Sequence, residues 1–325
     1  MKFRIIVLGI ACCGALASLH SADSDAQSYP IKPVRLIVPF VPGGGADASA
    51  RLFAAKLSES LGQQVIIDNR GGAGGNIGAE LASKAAPDGY TILWGSANLA
   101  MNATLYGKLP FDPVKDFIAV SLLAKSPNVI VVHPSLAVKS VAELIALAKS
   151  APGKINYASG GNGSTAHLAS ELFKTMAHVN LVHVPYKGSG PAVIAVLSGE
   201  APLTMVPALA VMPHVQSGRL RALAITSTQR SPTFPDLPTV AESGLPGYEA
   251  AQWYGAMLPL GTPDRIATRL NSDLVKIVQL PDINARLVAE ASIPIGSTRQ
   301  QFAAYLQEEM TKWAQVVKFS GARVD

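Results

Sequence analysis

From Tyr29 onward, short runs rich in β-branched residues alternate with longer stretches of helical periodicity, and that alternation restricts the chain to an α/β fold with largely parallel sheets. Residues 33–40 form the first strand-like run, and Gly43-Gly44-Gly45 turns the chain into a helix over about 46–61. A strand at 64–68, a glycine-rich turn at 71–75, a helix ending near Ala86 and a strand at 90–94 repeat the unit. Two apolar runs, 117–124 and 128–133, flank Lys125-Ser126-Pro127, which reads as the crossing into a second lobe. Beyond it the sequence predicts a helix at 140–150 with a Ser140/Glu143 capping box, a strand at 155–159, a helix to about Met176, and strands at 181–184, 203–206 and 220–226. Residues 231–248, rich in Pro and Gly, read as a long surface loop, and 250–258 as a strand returning to the first lobe. Thr262 caps a helix with Pro263 at its first position, and Ser297 or Thr298 caps a last helix to about Lys318.

The chain has 325 residues, 49% hydrophobic and 15% charged, so it can bury the cores of two domains and is too apolar for wholesale disorder. The formal charge of +5 suits an anionic ligand. Its Lys and Arg are scattered, without a basic run or basic-aromatic stripe, which argues against a nucleic-acid partner.

The N-terminus reads as an export signal. Lys2 and Arg4 precede an apolar stretch at 5–19, too short to span a bilayer, and Ser24-Asp25-Ala26 supplies a small-x-small site. Cleavage is expected after Ala26, with Ala22 as the alternative, which places the mature protein in the periplasm. Acylation at Cys12 is a weaker reading, because the apolar run before it is short and Gly9 fits a lipobox poorly. Cys12 and Cys13 both lie in this segment, so the mature chain has no disulfide, thiol nucleophile or thiolate metal site. The expected division is 1–26 signal peptide, 27–124 first part of lobe 1, 125–250 lobe 2 and 251–325 second part of lobe 1.

Two constellations carry the chemistry. At Phe40-Val41-Pro42-Gly43-Gly44-Gly45-Ala46-Asp47 a strand ends, glycines turn the chain and a helix begins. Free N–H groups there favour an anion, and glycines remove the Cβ atoms that would hold a ligand off. The competing reading is a tight turn, with Asp47 only stabilising the helix start. Ser159-Gly160-Gly161-Asn162-Gly163-Ser164-Thr165 repeats the device and adds, at the helix start, the two hydroxyls of Ser164 and Thr165 and the Asn162 amide; its competing reading is an N-cap with a flexible lead-in. Gly95-Ser96-Ala97-Asn98 and Tyr186-Lys187-Gly188-Ser189-Gly190 could line the same cleft, while Trp253 and Tyr254 read more readily as core. No dinucleotide fingerprint, P-loop, nucleophile elbow or His-Glu-x-x-His appears. A hydrolase using Ser164 would need a base and an orienting group, and Ser164 with His167 is no such set.

In this order the motifs resemble the extracytoplasmic receptors of tripartite tricarboxylate transporters, the Bug family. They are Tyr29-Pro30 with Lys32-Pro33, Val38-Pro39-Phe40 with Pro42-Gly43-Gly44, Asp68-Asn69-Arg70 with Gly74-Gly75-Asn76-Ile77-Gly78, and Ala86-Pro87-Asp88-Gly89-Tyr90. Asn156-Tyr157-Ala158-Ser159, Gly163-Ser164, His183-Val184-Pro185-Tyr186-Lys187-Gly188, Leu220-Arg221-Ala222-Leu223-Ala224 and Pro238-Thr239-Val240 with Glu242 continue the series. The resemblance implies a two-lobed, type II periplasmic-binding-protein (Venus-flytrap) fold with a hinge between lobes. It also implies a monomeric receptor, no enzyme, without metal or organic cofactor, that holds a carboxylate between the lobes partly through ordered water and serves membrane permease subunits. The family's binding loops map onto Phe40, Gly43, Gly44, Gly45 and Asp47 and onto Gly160, Asn162, Gly163, Ser164 and Thr165, with Ser96, Asn98 and Tyr186 carried over more weakly. One departure stands out. Where many members have an acidic or amide residue, this chain has Met205-Val206-Pro207-Ala208, so Val206 is expected to offer an apolar wall. An ammonium buried there would lack a partner, which implies a dicarboxylate, a keto acid or an aromatic acid as ligand. A periplasmic sensor would use the same closure, and a neighbouring permease or sensor-kinase gene would separate the two roles.

Overall fold

The computed structural model describes residues 29–322; the expected export signal lies outside them. The first elements are β1 (Val34–Val38), α1 (Gly45–Leu61), β2 (Val65–Asn69), α2 (Asn76–Ser83), β3 (Thr91–Ser96) and α3 (Asn98–Leu105). The long strand β4 (Phe117–Val132) leads to α4 (Val141–Ser150), β5 (Asn156–Ser159), α5 (Thr165–Ala177), β6 (Val182–Pro185), α6 (Ser189–Leu197), β7 (Leu203–Pro207), α7 (Ala208–Gln216) and β8 (Arg221–Ile225). After a long loop come β9 (Ala251–Pro259), α8 (Asp264–Gln279), α9 (Pro281–Ala289), β10 (Ile293–Pro294) and α10 (Arg299–Ser320).

The fold is α/β and two-lobed. In lobe 1, β1 pairs in parallel with β2 and β3, and β9 lies antiparallel to both β3 and the first part of β4. At Asn128, β4 changes partners and runs antiparallel to β7 and β8. Lobe 2 continues with β5 parallel to both β7 and β6. One strand therefore belongs to two sheets. The sequence predicts two separate runs here, but they are one strand. Pro127 cannot donate to a ladder, and it sits opposite Ala251 where β4 passes between sheets, a place where a missing N–H is tolerated.

Helix boundaries follow local chemistry. Ser140 caps α4 by accepting from the Glu143 N–H at 3.1 Å, while the Glu143 carboxylate reaches back to the Lys139 N–H at 2.7 Å. Thr298 and Gln301 form a reciprocal capping box on α10. At α8 the cap is Pro263, and Thr262 instead donates its hydroxyl to the Pro259 carbonyl at 2.8 Å. The sequence reading misses α3, α6, α7 and α9. Helix α6 is apolar almost throughout, so no polar stripe reveals its 3.6 period, and α7 carries Pro213 inside.

Strand alternation divides the core. Leu36, Val38 and Trp94 face α1 and α8 with Phe53, Leu57 and Leu270, whereas Ile37 and Leu93 face α3 and α10. The second cluster continues into lobe 2 through Trp253, Tyr248 and Leu168, so the lobes share packing behind the crossing. Buried Glu309 on α10 accepts from the Trp253 indole at 3.2 Å and the Trp313 indole at 2.9 Å, tying the last helix to β9. A Cβ at Gly255 would lie 2.5 Å from the Phe302 ring and 2.8 Å from the Ser121 carbonyl oxygen. Gly255→Ala is therefore expected to cost about 1–3 kcal/mol, read as a lower urea midpoint.

Candidate ligand-binding site

Pairing register alone brings the two sets of turns to one place. Ser96, at the carboxyl end of β3, pairs with Tyr254, which pairs with Ala124 on β4. Pro207, at the carboxyl end of β7, pairs with Asn128 of the same strand. Strand β3 runs with β4 and β7 runs against it, so their carboxyl ends point at each other across four residues of β4, about 13 Å. Because β1 is parallel to β3, and β5 and β6 share the direction of β7, every turn that follows these strands opens toward that crossing. Ligands of open α/β sheets sit outside carboxyl ends.

In lobe 1 the turn after β1 leaves Gly43, Gly44 and Gly45 exposed. Helix α1 starts without a side-chain cap, so its first amides keep their donors for something else. Gly43 takes φ +87°, a conformation that favours glycine, while a Cβ at Gly44 would meet nothing within 4 Å. Asp47 is buried and faces inward. Its carboxylate accepts from the Gly43 N–H and Arg51 Nε, both at 2.9 Å, and from Asn69 Nδ2 at 3.0 Å. Asn69 also donates to the Phe40 carbonyl at 3.0 Å, which closes the turn from below. Tyr254 stacks near Trp94 and brings its hydroxyl to 3.0 Å from where a Gly45 Cβ would be.

In lobe 2, Ser164 caps α5, its hydroxyl accepting from the His167 N–H at 3.2 Å. The Gly161 N–H donates to Ser159 Oγ at 3.1 Å and the Gly163 N–H to His167 Nδ1 at 3.1 Å. The start of α6, also without a side-chain cap, lies alongside, with the Gly188 N–H donating to the Gly160 carbonyl at 3.2 Å.

The expected site residues thus divide by what their side chains are free to do. Gly44, Gly45 and Asn162 are exposed, and Asn98, Gly160 and Thr165 are half-buried. Ser96 is buried at the end of β3, and half-buried Phe40 packs on the lobe 1 core. Asp47 and Ser164 are occupied within their own turns, and the Tyr186 hydroxyl is bonded to Glu200 at 2.7 Å. Val206, expected as a wall, is fully buried in the lobe 2 core and presents no surface in this conformation. The sequence reading did not single out Asn69, Arg51, Ser159 or His183 as supports of these turns. Asn69, Ser159 and His183 did lie in quoted motifs, and Arg51 is one helical turn from Asp47, but Asn69 and His183 serve their turns from other strands, which leaves no local pattern. Among the described residues, no group of His, Cys, Asp and Glu could hold a metal ion.

Residues 49–321 match the family model described as the tripartite tricarboxylate transporter family receptor. This chain belongs to that receptor family. Protein BugT of Bordetella pertussis is 39% identical over 94% of this chain and 94% of its own. An R. palustris protein with adipate is 39% identical, with TM-score 0.79, over 91% of this chain and 100% of that one. MatC of Rhodopseudomonas palustris, with bound malate, is 32% identical, with TM-score 0.75, over 89% and 100%. The family is one of solute receptors rather than enzymes.

In this receptor the Asp47 carboxyl is lowered from 3.8 to about 2, chiefly by its Arg51 hydrogen bond, with Gly43 and Asn69 adding to outweigh burial. A depressed acid stabilises the fold above its unfolded value and loses that contribution as pH falls through the folded one. Asp47→Asn is expected to cost about 2 kcal/mol at pH 7. In urea melts the gap from the wild type should narrow as pH falls from about 4 toward 2.

Proposed function

We propose that this receptor, exported to the periplasm with its signal cleaved after Ala26, captures a small carboxylate without an ammonium group and delivers it to the membrane subunits of a tripartite tricarboxylate-type transporter. The ligand class is a dicarboxylate, a keto acid or an aromatic acid. It is held between lobe 1 (27–124 and 251–325) and lobe 2 (125–250) of a monomer. The observation that carries this reading is the uncapped, exposed start of α1 at Gly44 and Gly45, facing the glycine-rich start of α5 across the crossing. Two helix starts directed at one space favour a bound acid. Two features count against an ammonium: the Asp47 carboxylate is already engaged by three donors, and Val206-Pro207-Ala208 supplies no acid or amide side chain. The ligands seen with related proteins, adipate and malate, are plain dicarboxylates and favour the same class. Closure follows from differential contact, because a ligand touching both lobes binds the closed state more tightly.

The test is a thermal-shift and calorimetric screen of malate, adipate, 2-oxoglutarate and benzoate against aspartate and glutamate. A matching acid at 100 times its Kd adds about 2.7 kcal/mol of stability. Gly44 has φ −84° and ψ 173°, open to any residue, and free space at its Cβ. Gly44→Val should therefore melt like the wild type yet bind at least about tenfold more weakly, since its side chain occupies the ligand's approach. Tighter binding of aspartate or glutamate than of every plain acid would overturn the ligand class. Unchanged affinity in Gly44→Val would overturn the site.

A further inference from the structure

Lobe 2 buries a cluster of titratable side chains that ligand capture does not explain. The ring of His167, on α5, stacks on that of His183, on β6, with centroids 4.0 Å apart and planes 6° from parallel. Tyr157, on β5, also stacks on His183, at 4.9 Å and 17°. Glu171 accepts from the Tyr157 hydroxyl at 2.6 Å and from Lys174 at 2.7 Å, and its carboxylate lies 4.0 Å from His167 Nε2. The other elements packed on α5 bring Met205, Tyr248, Trp313 and Val317 into the same core, with the Tyr248 hydroxyl bonded to the Ala169 carbonyl.

Both rings reach the ligand turn. The Gly163 N–H donates to His167 Nδ1 at 3.1 Å. A backbone N–H can only donate, so Nδ1 carries no proton and the imidazole proton sits on Nε2, on the side of Glu171. His183 Nε2 lies 2.6 Å from Ser159 Oγ, which accepts from the Gly161 N–H. The Ser164 N–H is engaged by the Gly161 carbonyl, and the His167 N–H by Ser164. Among the described residues, the amides of Asn162, Thr165 and Ala166 then have no protein partner.

We propose that His167 is a positioning residue for ligand binding: its neutral ring, stacked on His183, fixes the Gly163 peptide inward and thereby directs the remaining amides of the turn at the cleft. This rests on the carboxylate reading of the site and names what holds half of it in shape. A protonated His167 would set an N–H against the Gly163 N–H and break the support. Burial first, and then the facing charge of Lys174, lowers His167 to about 4; burial, His167 and Lys174 lower His183 to about 4, against the pull of Glu171. The contribution of His167 to folding stability is complete above the ordinary value near 6.5 and declines between 6.5 and about 4, but in the folded protein the ring itself stays neutral until pH approaches about 4. The turn therefore stays locked across the range where an exposed histidine changes charge.

The test uses His167→Asn, whose side-chain oxygen can take the place of Nδ1, and His167→Leu, which offers no acceptor. Amide hydrogen exchange of Gly163 needs no ligand. It should be slow in the wild type and His167→Asn and at least about tenfold faster in His167→Leu. With adipate as probe, calorimetry at pH 7 should show at least about tenfold weaker binding in His167→Leu and near-wild-type binding in His167→Asn. Between pH 8 and about 5.5 wild-type affinity should be flat. At pH 4 it should fall about twofold relative to His167→Asn, a ratio in which the ionisation of adipate cancels. Should His167→Leu fail to fold, His167→Gln, with its acceptor carried away from Gly163, replaces it. Unchanged Gly163 exchange in the Leu or Gln variant overturns the proposal, and so does equal loss in His167→Asn, which would mark a packing role. The expected exchange pattern with no adipate binding by the wild type would sink the adipate-type ligand assignment and leave the positioning role standing.

Discussion

Everything about this molecule that looks like a receptor depends on one strand belonging to two sheets. Because β4 is antiparallel to β7 but runs with β3, the carboxyl ends of the parallel strands in the two lobes must face one another. No loop has to fold into a special shape for that. The place of the cleft is a consequence of pairing direction, and the turns only decide what the cleft binds. Thr226 holds the second crossing to the first. Its hydroxyl lies 2.8 Å from the Asn128 N–H and donates to the Ala250 carbonyl at 2.6 Å, so both chain crossings share one side chain. The half-buried Lys125–Glu249 pair, at 2.7 Å, adds a second tie beside it. A rotation of one lobe against the other, as the proposed closure requires, would fall on the backbone around residues 126–128 and 249–251, where the chain crosses twice.

The two turns solve the same problem with different chemistry. An anion needs N–H groups that are free yet do not wander, and glycine-rich segments wander by default. In lobe 1 a buried carboxylate holds the turn: Asp47 takes one amide and is itself held by Arg51 and Asn69. In the proposed site that arrangement would place a negative charge close to the bound acid, and the bonded Arg51 would offset it. In lobe 2 the support is uncharged, a histidine nitrogen and a serine hydroxyl backed by stacked rings. A neutral support adds no repulsion to the helix start it serves, at the cost of keeping two imidazoles buried without their protons.

How much of this could be read from the sequence depends on the range of the interaction. The strands, the glycine turns and the caps at Ser140, Ser164 and Thr298 are local, and their residues predict them directly. The lobe crossing was legible as an interruption at Lys125-Ser126-Pro127, but its continuity was not, because a proline, which lacks an N–H, is excluded from a strand only where the ladder needs a donor. Helices α6 and α7 escaped because their residues are apolar on nearly every side, exposed Ile194 included, so no amphipathic stripe announces a helix, and α7 carries Pro213 inside. Val206 shows the limit for site residues. Its place in a motif was readable, but the face of β7 on which it lies is fixed by pairing, and that face is the core. Arg51 lies one helical turn from Asp47, a local pair, whereas Asn69 reaches Asp47 across 22 residues and His183 reaches Ser159 across 24, and only the fold brings those two under the turns.

The division between free amides and engaged side chains also bears on selectivity. If ligand groups bonded mainly to mobile side chains, each acid could be accommodated by a new rotamer, at little cost. Fixed backbone donors cannot follow the ligand, so discrimination among acids falls on chain length and on the walls between the turns. In the proposed site, a carboxylate anchored at Gly44 and Gly45 would set the distance at which the ligand's second group must find the start of α5. Hinge closure adjusts that distance only while both turns keep their shape. Under the proposed capture mechanism, rigid turns on a closing hinge would select by the span of the ligand, and a ligand too short to touch both turns would gain no preference for the closed state.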